Sequence, residues 1–217
     1  MSYQEVVDRI AAAARGCGRD PSEITLVAIS KAKPVSAIEE VYEAGHRDFG
    51  ENRAQELAEK AAALPDDIRW HFVGALQTNK TRLVRPVTYL LHSMDRASLA
   101  LSWVKGMGLP PPVLIQVNIG SEPQKAGVEV DGVESLLETL LDLGVEVRGL
   151  MAIPPLDNDP DEMRAHFRNL RDMRDQLMEL HGQVRELSMG MTDDFEIAIQ
   201  EGASLIRVGR AIFGPRI

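Results

Sequence analysis

Cysteine is nearly absent: Cys17 stands alone among 217 residues, so no internal disulfide can form. That fits a reducing compartment, and the polar glycine turn around it, RGCGRD, is no setting for a nucleophile. Positive charge is short as well, with 24 Lys and Arg against 33 Asp and Glu and a net charge of −9. Nucleic-acid backbones need the opposite balance, so binding them is excluded as the main business. One local basic pocket for a small phosphorylated ligand is not excluded. Long apolar runs are missing too; none reaches the roughly 20 residues that cross a bilayer. The opening MSYQEVVDRIAAAARG, residues 1–16, reads as an amphipathic helix and not as a secretory leader. These absences predict a cytoplasmic protein with neither a membrane nor a nucleic-acid partner. His71, His92, His166 and His181 share no metal-ligand spacing, which predicts no metal site and structural or surface roles for each.

What the chain does have is alternation. Strand-like runs fall at 24–30, 47–50, 69–74, 88–93, 112–119, 145–151, 184–190 and 204–209, with helical stretches between them. Helix SAIEEVYEAG stops on Gly45, VESLLETLLDLG on Gly144, and the long DPDEMRAHFRNLRDMRDQLMELHG carries Pro160 near its start. Asp95 and Thr192 read as N-caps of two further helices. Strands alternating with helices are parallel, joined by helical crossovers. Without a glycine-rich dinucleotide turn, eight such units favour a closed (β/α)8 TIM barrel over an open sheet. No linker or low-complexity tract divides it, so residues 1–217 are read as one α/β domain, monomeric at this size.

The segment ITLVAISKAKP (24–34) is an apolar strand ending abruptly at Ser30-Lys31. A lysine there either snorkels to water or, with a lowered pKa, attacks an aldehyde and holds it as a Schiff base. Phosphates in such barrels sit at the loops after strands seven and eight. Here Ser188 offers a hydroxyl, and Met189, Gly190, Gly209 and Arg210 offer backbone N–H groups; alternatively the two glycines only turn the chain. Period-two alternation points Arg207 into the barrel mouth, toward either an internal carboxylate or a ring nitrogen beside a bound phosphate. A reactive lysine, a two-loop phosphate cup and an inward arginine together describe a pyridoxal 5′-phosphate site.

The motifs AISKAKP, FGENRAQE, WHFVGALQTNK, HSMDR, VNIGSEPQKAG, GLMAIPP, ELSMGMTDDFEIAI and IRVGRAIFG resemble, in order, those of the pyridoxal phosphate homeostasis protein family. That family's barrel is similar to the N-terminal domain of alanine racemase. The resemblance implies that Lys31 is the Schiff-base lysine, that Asn52 lines the cofactor and that Met151 packs near its ring. It likewise implies Ser188, Gly209 and Arg210 at the phosphate and Arg207 at the pyridine nitrogen. The chain departs from it in Ala32 and Arg53, where many members have Thr and Tyr, in Ala75 before Leu76-Gln77, and in Arg210, where many have a threonine.

An arginine leaves the pyridine nitrogen unprotonated and weakens the ring as an electron sink. Alanine racemases supply a tyrosine from a second domain and partner subunit, whereas Tyr3, Tyr42 and Tyr89 are no obvious replacement and no second domain is read here. The expectation is therefore a carrier that stores, buffers or delivers pyridoxal phosphate, with dependent acceptor enzymes as its protein partners and no catalytic residues. The rivals are a low-activity amino-acid racemase, a barrel binding a phosphorylated metabolite without a Schiff base, and a regulatory sensor of cofactor level.

Overall fold

The computed structural model describes residues 2–120, 126–155 and 159–214. Helix α1 (Tyr3–Gly16) is set by a capping box: Glu5 N–H donates to Ser2 Oγ, and the Glu5 carboxylate accepts from the Ser2 amide. Its buried stripe, Val6, Ile10 and Ala14, recurs at helical spacing and packs toward the last helices of the chain. Eight units follow. They are β1 (Thr25–Ile29) with α2 (Val35–Glu43), β2 (Asp48–Glu51) with α3 (Ala54–Ala63), and β3 (Arg69–Phe72) with α4 (Thr81–Val84). Next come β4 (Leu90–Met94) with α5 (Ala97–Trp103), β5 (Val113–Val117) with α6 (Val133–Asp142), and β6 (Val147–Ala152) with α7 (Pro160–His181). The last are β7 (Glu186–Ser188) with α8 (Phe195–Gln200) and β8 (Leu205–Val208) with α9 (Arg210–Phe213). Every neighbouring pair is parallel, and β8 pairs back onto β1, Thr25 opposite Leu205 through Ala28 opposite Val208. The barrel is closed.

Closure sorts each strand by residue parity. Outward positions such as Ala28, Phe49, Phe72, Leu91, Ile115, Leu187 and Ile206 join the helices in the large outer core. A small inner plug is built from Val27, Ile29, Leu90, Leu114, Met151 and Leu205. Other inward positions, Asp48, His71, His92, Ser188 and Arg207, are polar and buried, and the chemistry lies there.

The eight strands fall where the sequence pattern puts them, but two caps do not. Helix α5 starts after Arg96, with Asp95 ion-paired to Arg96, and α8 starts after Asp194, not Thr192. In α8 the loop tightens first, and the Asp194 carboxylate turns back to accept from Met191 N–H at 2.5 Å. Gly144 (φ +70°) closes α6 in the left-handed region, as its spacing predicts.

Candidate functional site

Lys31 lies two residues beyond β1, on the parity of Val27 and Ile29, which puts it at the carboxyl-end mouth of the barrel. It is half-buried, whereas Ser30 is fully buried. The segment around it is held from three sides. Ser30 Oγ donates to Glu51 Oε1 (2.7 Å), the Ser30 carbonyl accepts from Lys60 Nζ (2.8 Å), and Ala32 N–H donates to Glu56 Oε1 (2.6 Å). Lys60 closes the set through Glu51 (2.6 Å) and Glu56 (2.7 Å). Burial pushes the Glu51 carboxyl up, against the opposing pull of Lys60 and Ser30. Ala32 sits at φ 58°, a left-handed conformation unusual for a residue with a Cβ. Sequence reasoning passed over Glu51, Glu56 and Lys60; the only signal was the Glu56–Lys60 spacing of four on one helix.

Arg207 is 4% exposed, opposite Val27 in the β1–β8 register. Its guanidinium donates to Ser188 Oγ (2.6 Å) and to the Ala152 carbonyl (3.0 Å), both neutral. Among the described residues no carboxylate forms an ion pair with it. Burial lowers its pKa to about 10, so it stays cationic at neutral pH. From Ser188 a buried chain crosses the barrel interior. Ser188 Oγ meets His92 Nδ1 (2.8 Å), His92 Nε2 meets His71 Nδ1 (2.8 Å), and His71 Nε2 meets Asp48 Oδ1 (3.1 Å). Arg69 grips the same carboxylate through two N–H groups, at 2.7 and 2.5 Å. Burial pulls both histidine rings down, while hydrogen bonds from His71 and Arg69 hold the Asp48 carboxyl well below its usual range despite burial.

The loops after β7 and β8 approach the mouth. Gly190 (φ +88°) leaves no room for a side chain, since a Cβ there would lie 2.6 Å from the Ala198 Cβ. A Cβ on Gly209 would lie 3.0 Å from the Ile29 carbonyl oxygen, so a side chain there would press on the end of β1. Met189 behaves differently from its sequence reading: its N–H donates to Leu205 O (3.1 Å) and its side chain lies in the outer core. The amide is spent on joining β7 to β8. The Arg210 side chain is exposed and ion-paired with exposed Asp193. Met151 is fully buried in the inner plug, and Asn52, just past β2, is half-buried at the rim. Residues 121–125 of the VNIGSEPQKAG motif lie outside the described residues.

All three tyrosines gather at the opposite end of the barrel. Tyr3 hydroxyl bonds His46 Nδ1 (3.2 Å) just before β2, Tyr42 donates to Asp67 before β3, and Tyr89 immediately precedes β4. His46, unremarked in the sequence, is a buried structural residue there; His166 and His181 lie on α7. The described residues contain no cluster of metal-ligating side chains and no helix long and apolar enough to cross a membrane.

A family model described as "Alanine racemase, N-terminal domain" matches residues 4–216. The pyridoxal phosphate homeostasis protein of Aquifex aeolicus is 43% identical, over 97% of this chain and 95% of that protein. That of Pseudomonas aeruginosa is 43% identical, over 98% of this chain and 93% of its own length. Among solved structures, PipY of Synechococcus elongatus with pyridoxal phosphate bound superposes with a TM-score of 0.80 at 36% identity. The match covers 96% of this chain and all of that one.

Proposed function

Because the chain belongs to the alanine racemase N-terminal-domain family, we propose that it binds pyridoxal 5′-phosphate and serves in its homeostasis, storing, buffering or delivering the cofactor. Lys31 holds the aldehyde carbon as a Schiff base, Asn52 lines the cofactor, and Arg207 faces the ring nitrogen. Met151, in the plug beneath, forms the floor under the ring. The phosphate lies between the Ser188–Gly190 and Gly209–Arg210 segments, received by the Ser188 hydroxyl and the glycine amides. Held there, the cofactor supplies an electrophilic carbonyl and an electron-accepting ring.

The observation that carries this reading is Arg207: a permanently charged guanidinium, buried, whose two observed partners are neutral oxygens. Asp194 acts on this cation electrostatically without an ion pair to it, and a phosphate-bearing pyridine would bring both a further anion and an acceptor within its own length. Glycine at 190 and 209 lets the two loops pack closely against α8 and the end of β1, which brings their backbone to the mouth where the phosphate is placed. An amino-acid racemase is disfavoured by the tyrosines, which sit at the far end of the barrel. A lone exposed thiol at Cys17 suits the reducing cytoplasm, and acceptor enzymes are the partners such a store would serve.

Visible absorbance after adding pyridoxal phosphate tests the site. Wild type is expected to develop a yellow band that Lys31→Ala lacks. No band in either protein would leave a phosphate-binding barrel without covalent attachment, and a band surviving the substitution would move the bond to another lysine, Lys33 first.

A further inference from the structure

The buried chain from Arg207 to Asp48 has a single direction. Asp48, gripped by Arg69, is an ionised carboxylate and can only accept, so His71 carries its proton on Nε2. A neutral His71 then accepts at Nδ1, which places the His92 proton on Nε2. His92 in turn accepts at Nδ1 from the Ser188 hydroxyl, and Ser188 Oγ receives the N–H of Arg207, which can only donate. Every hydrogen is assigned. In this state Ser188 has no hydrogen left to give an anion at the mouth.

We propose that Asp48, His71 and His92 form a proton relay that must take up one proton for Ser188 to donate to a bound phosphate, which couples ligand binding to protonation of the barrel core. The inference rests on the phosphate placement proposed above. The proton enters at the mouth: Ser188 Oγ receives it and passes its own hydrogen to His92 Nδ1. His92 passes its Nε2 proton to His71 Nδ1, and the charge comes to rest on His71 beside Asp48. Two hydrogen bonds reverse, and no heavy atom need move. Around His71 stand Asp48 on β2, Arg69 on its own strand, the Tyr89 ring and His92 from the β4 segment, and Arg148 on β6. Around His92 stand His71, Ser188 and Arg207. The arginines oppose the extra charge, Asp48 favours it, and the arriving anion tips the balance. His71 and His92 are positioning residues here, acting on the ligand through Ser188.

Two measurements decide it. Histidine ring ¹⁵N NMR of the free protein is expected to show Nε2–H on both His71 and His92; Nδ1–H on either overturns the proposal. Calorimetry of pyridoxal phosphate binding in buffers of different ionisation enthalpy then counts protons. Wild type is expected to take up close to one more proton than Asp48→Asn, whose amide can turn an N–H to His71 Nε2 and let the chain reverse without charge. His71→Phe, which cuts the chain, should lose the same uptake. Affinity in wild type should fall by up to about tenfold per pH unit as pH rises, and less steeply in both variants. Equal uptake in all three proteins overturns the relay alone. Failure of wild type to bind pyridoxal phosphate overturns the site reading, and this proposal falls with it.

Discussion

At the scale of single residues the polar interior is where stability and site meet. The Asp48 carboxyl is held below its usual 3.8 by His71 and Arg69, so its folded-state pKa is lower than its unfolded one. The unfolded chain therefore binds more protons in that range, and the stability Asp48 contributes is present above about pH 4 and lost as pH falls further. Asp48→Asn is expected to flatten the acid limb of urea midpoints measured below pH 4, at a cost of roughly 1–3 kcal/mol near neutrality from the weakened Arg69 and His71 contacts. An unchanged acid limb would show that Asp48 is not ionised in the fold. Lys60 is the second case. Its ammonium is the counter-charge for Glu51, which is fully buried, and Lys60→Met would leave that carboxylate uncompensated. Breaking one side of a buried pair costs roughly 3–5 kcal/mol, so the denaturation midpoint should drop sharply. The same change removes a strut from Ser30, so the lysine-dependent absorbance should weaken at ligand levels that saturate wild type. A full band with lowered stability would confine Lys60 to the fold.

At the scale of elements, most of the chain was legible because the barrel repeats one local rule. Apolar runs such as 24–30 and 112–119 are strands buried on both faces, and their ends lie within a few residues of β1 and β5. What the pattern missed is short or capped by reach. Helix α9 has only four residues, too few for any periodicity. The cap of α8 moved to Asp194 because its carboxylate reaches back to Met191, a contact that a first-residue preference cannot anticipate. Gly190 in the same loop gives an element-level test. At φ +88°, with a Cβ only 2.6 Å from Ala198, Gly190→Ala forces both a strained backbone and a shift of α8 against β7. We expect a stability loss of about 1–3 kcal/mol by urea denaturation, and a larger loss of affinity for pyridoxal phosphate than for pyridoxal, which lacks the phosphate. Equal loss for both ligands would take this loop away from the phosphate.

At the scale of the whole molecule, closure brings together residues that no sequence window could join. His71 and His92 each looked structural in its own strand; only the return of β8 to β1 and the shared inward parity make them links between Asp48 and Arg207, 159 positions apart in the chain. The same closure separates two sets of groups that a racemase would need together. Lys31 stands at the carboxyl ends of the strands, whereas Tyr3, Tyr42 and Tyr89 are fixed near their amino ends by His46, Asp67 and the start of β4. A parallel barrel puts all its strand ends of one kind on one face, so no local rearrangement carries a phenol across to Lys31. Proton exchange at an amino acid's α-carbon needs a base on each side for inversion, and this face offers Lys31 with no tyrosine opposite it. Protein loaded with pyridoxal phosphate and given L-alanine should therefore form no D-alanine by chiral chromatography, because Lys31 alone returns a proton only to the face it came from. Replacing all three tyrosines with phenylalanine should leave that result unchanged. Sustained formation of D-alanine that disappears in Lys31→Ala would restore the enzymatic reading, and racemisation sensitive to a tyrosine would require a different arrangement of the mouth from the one described.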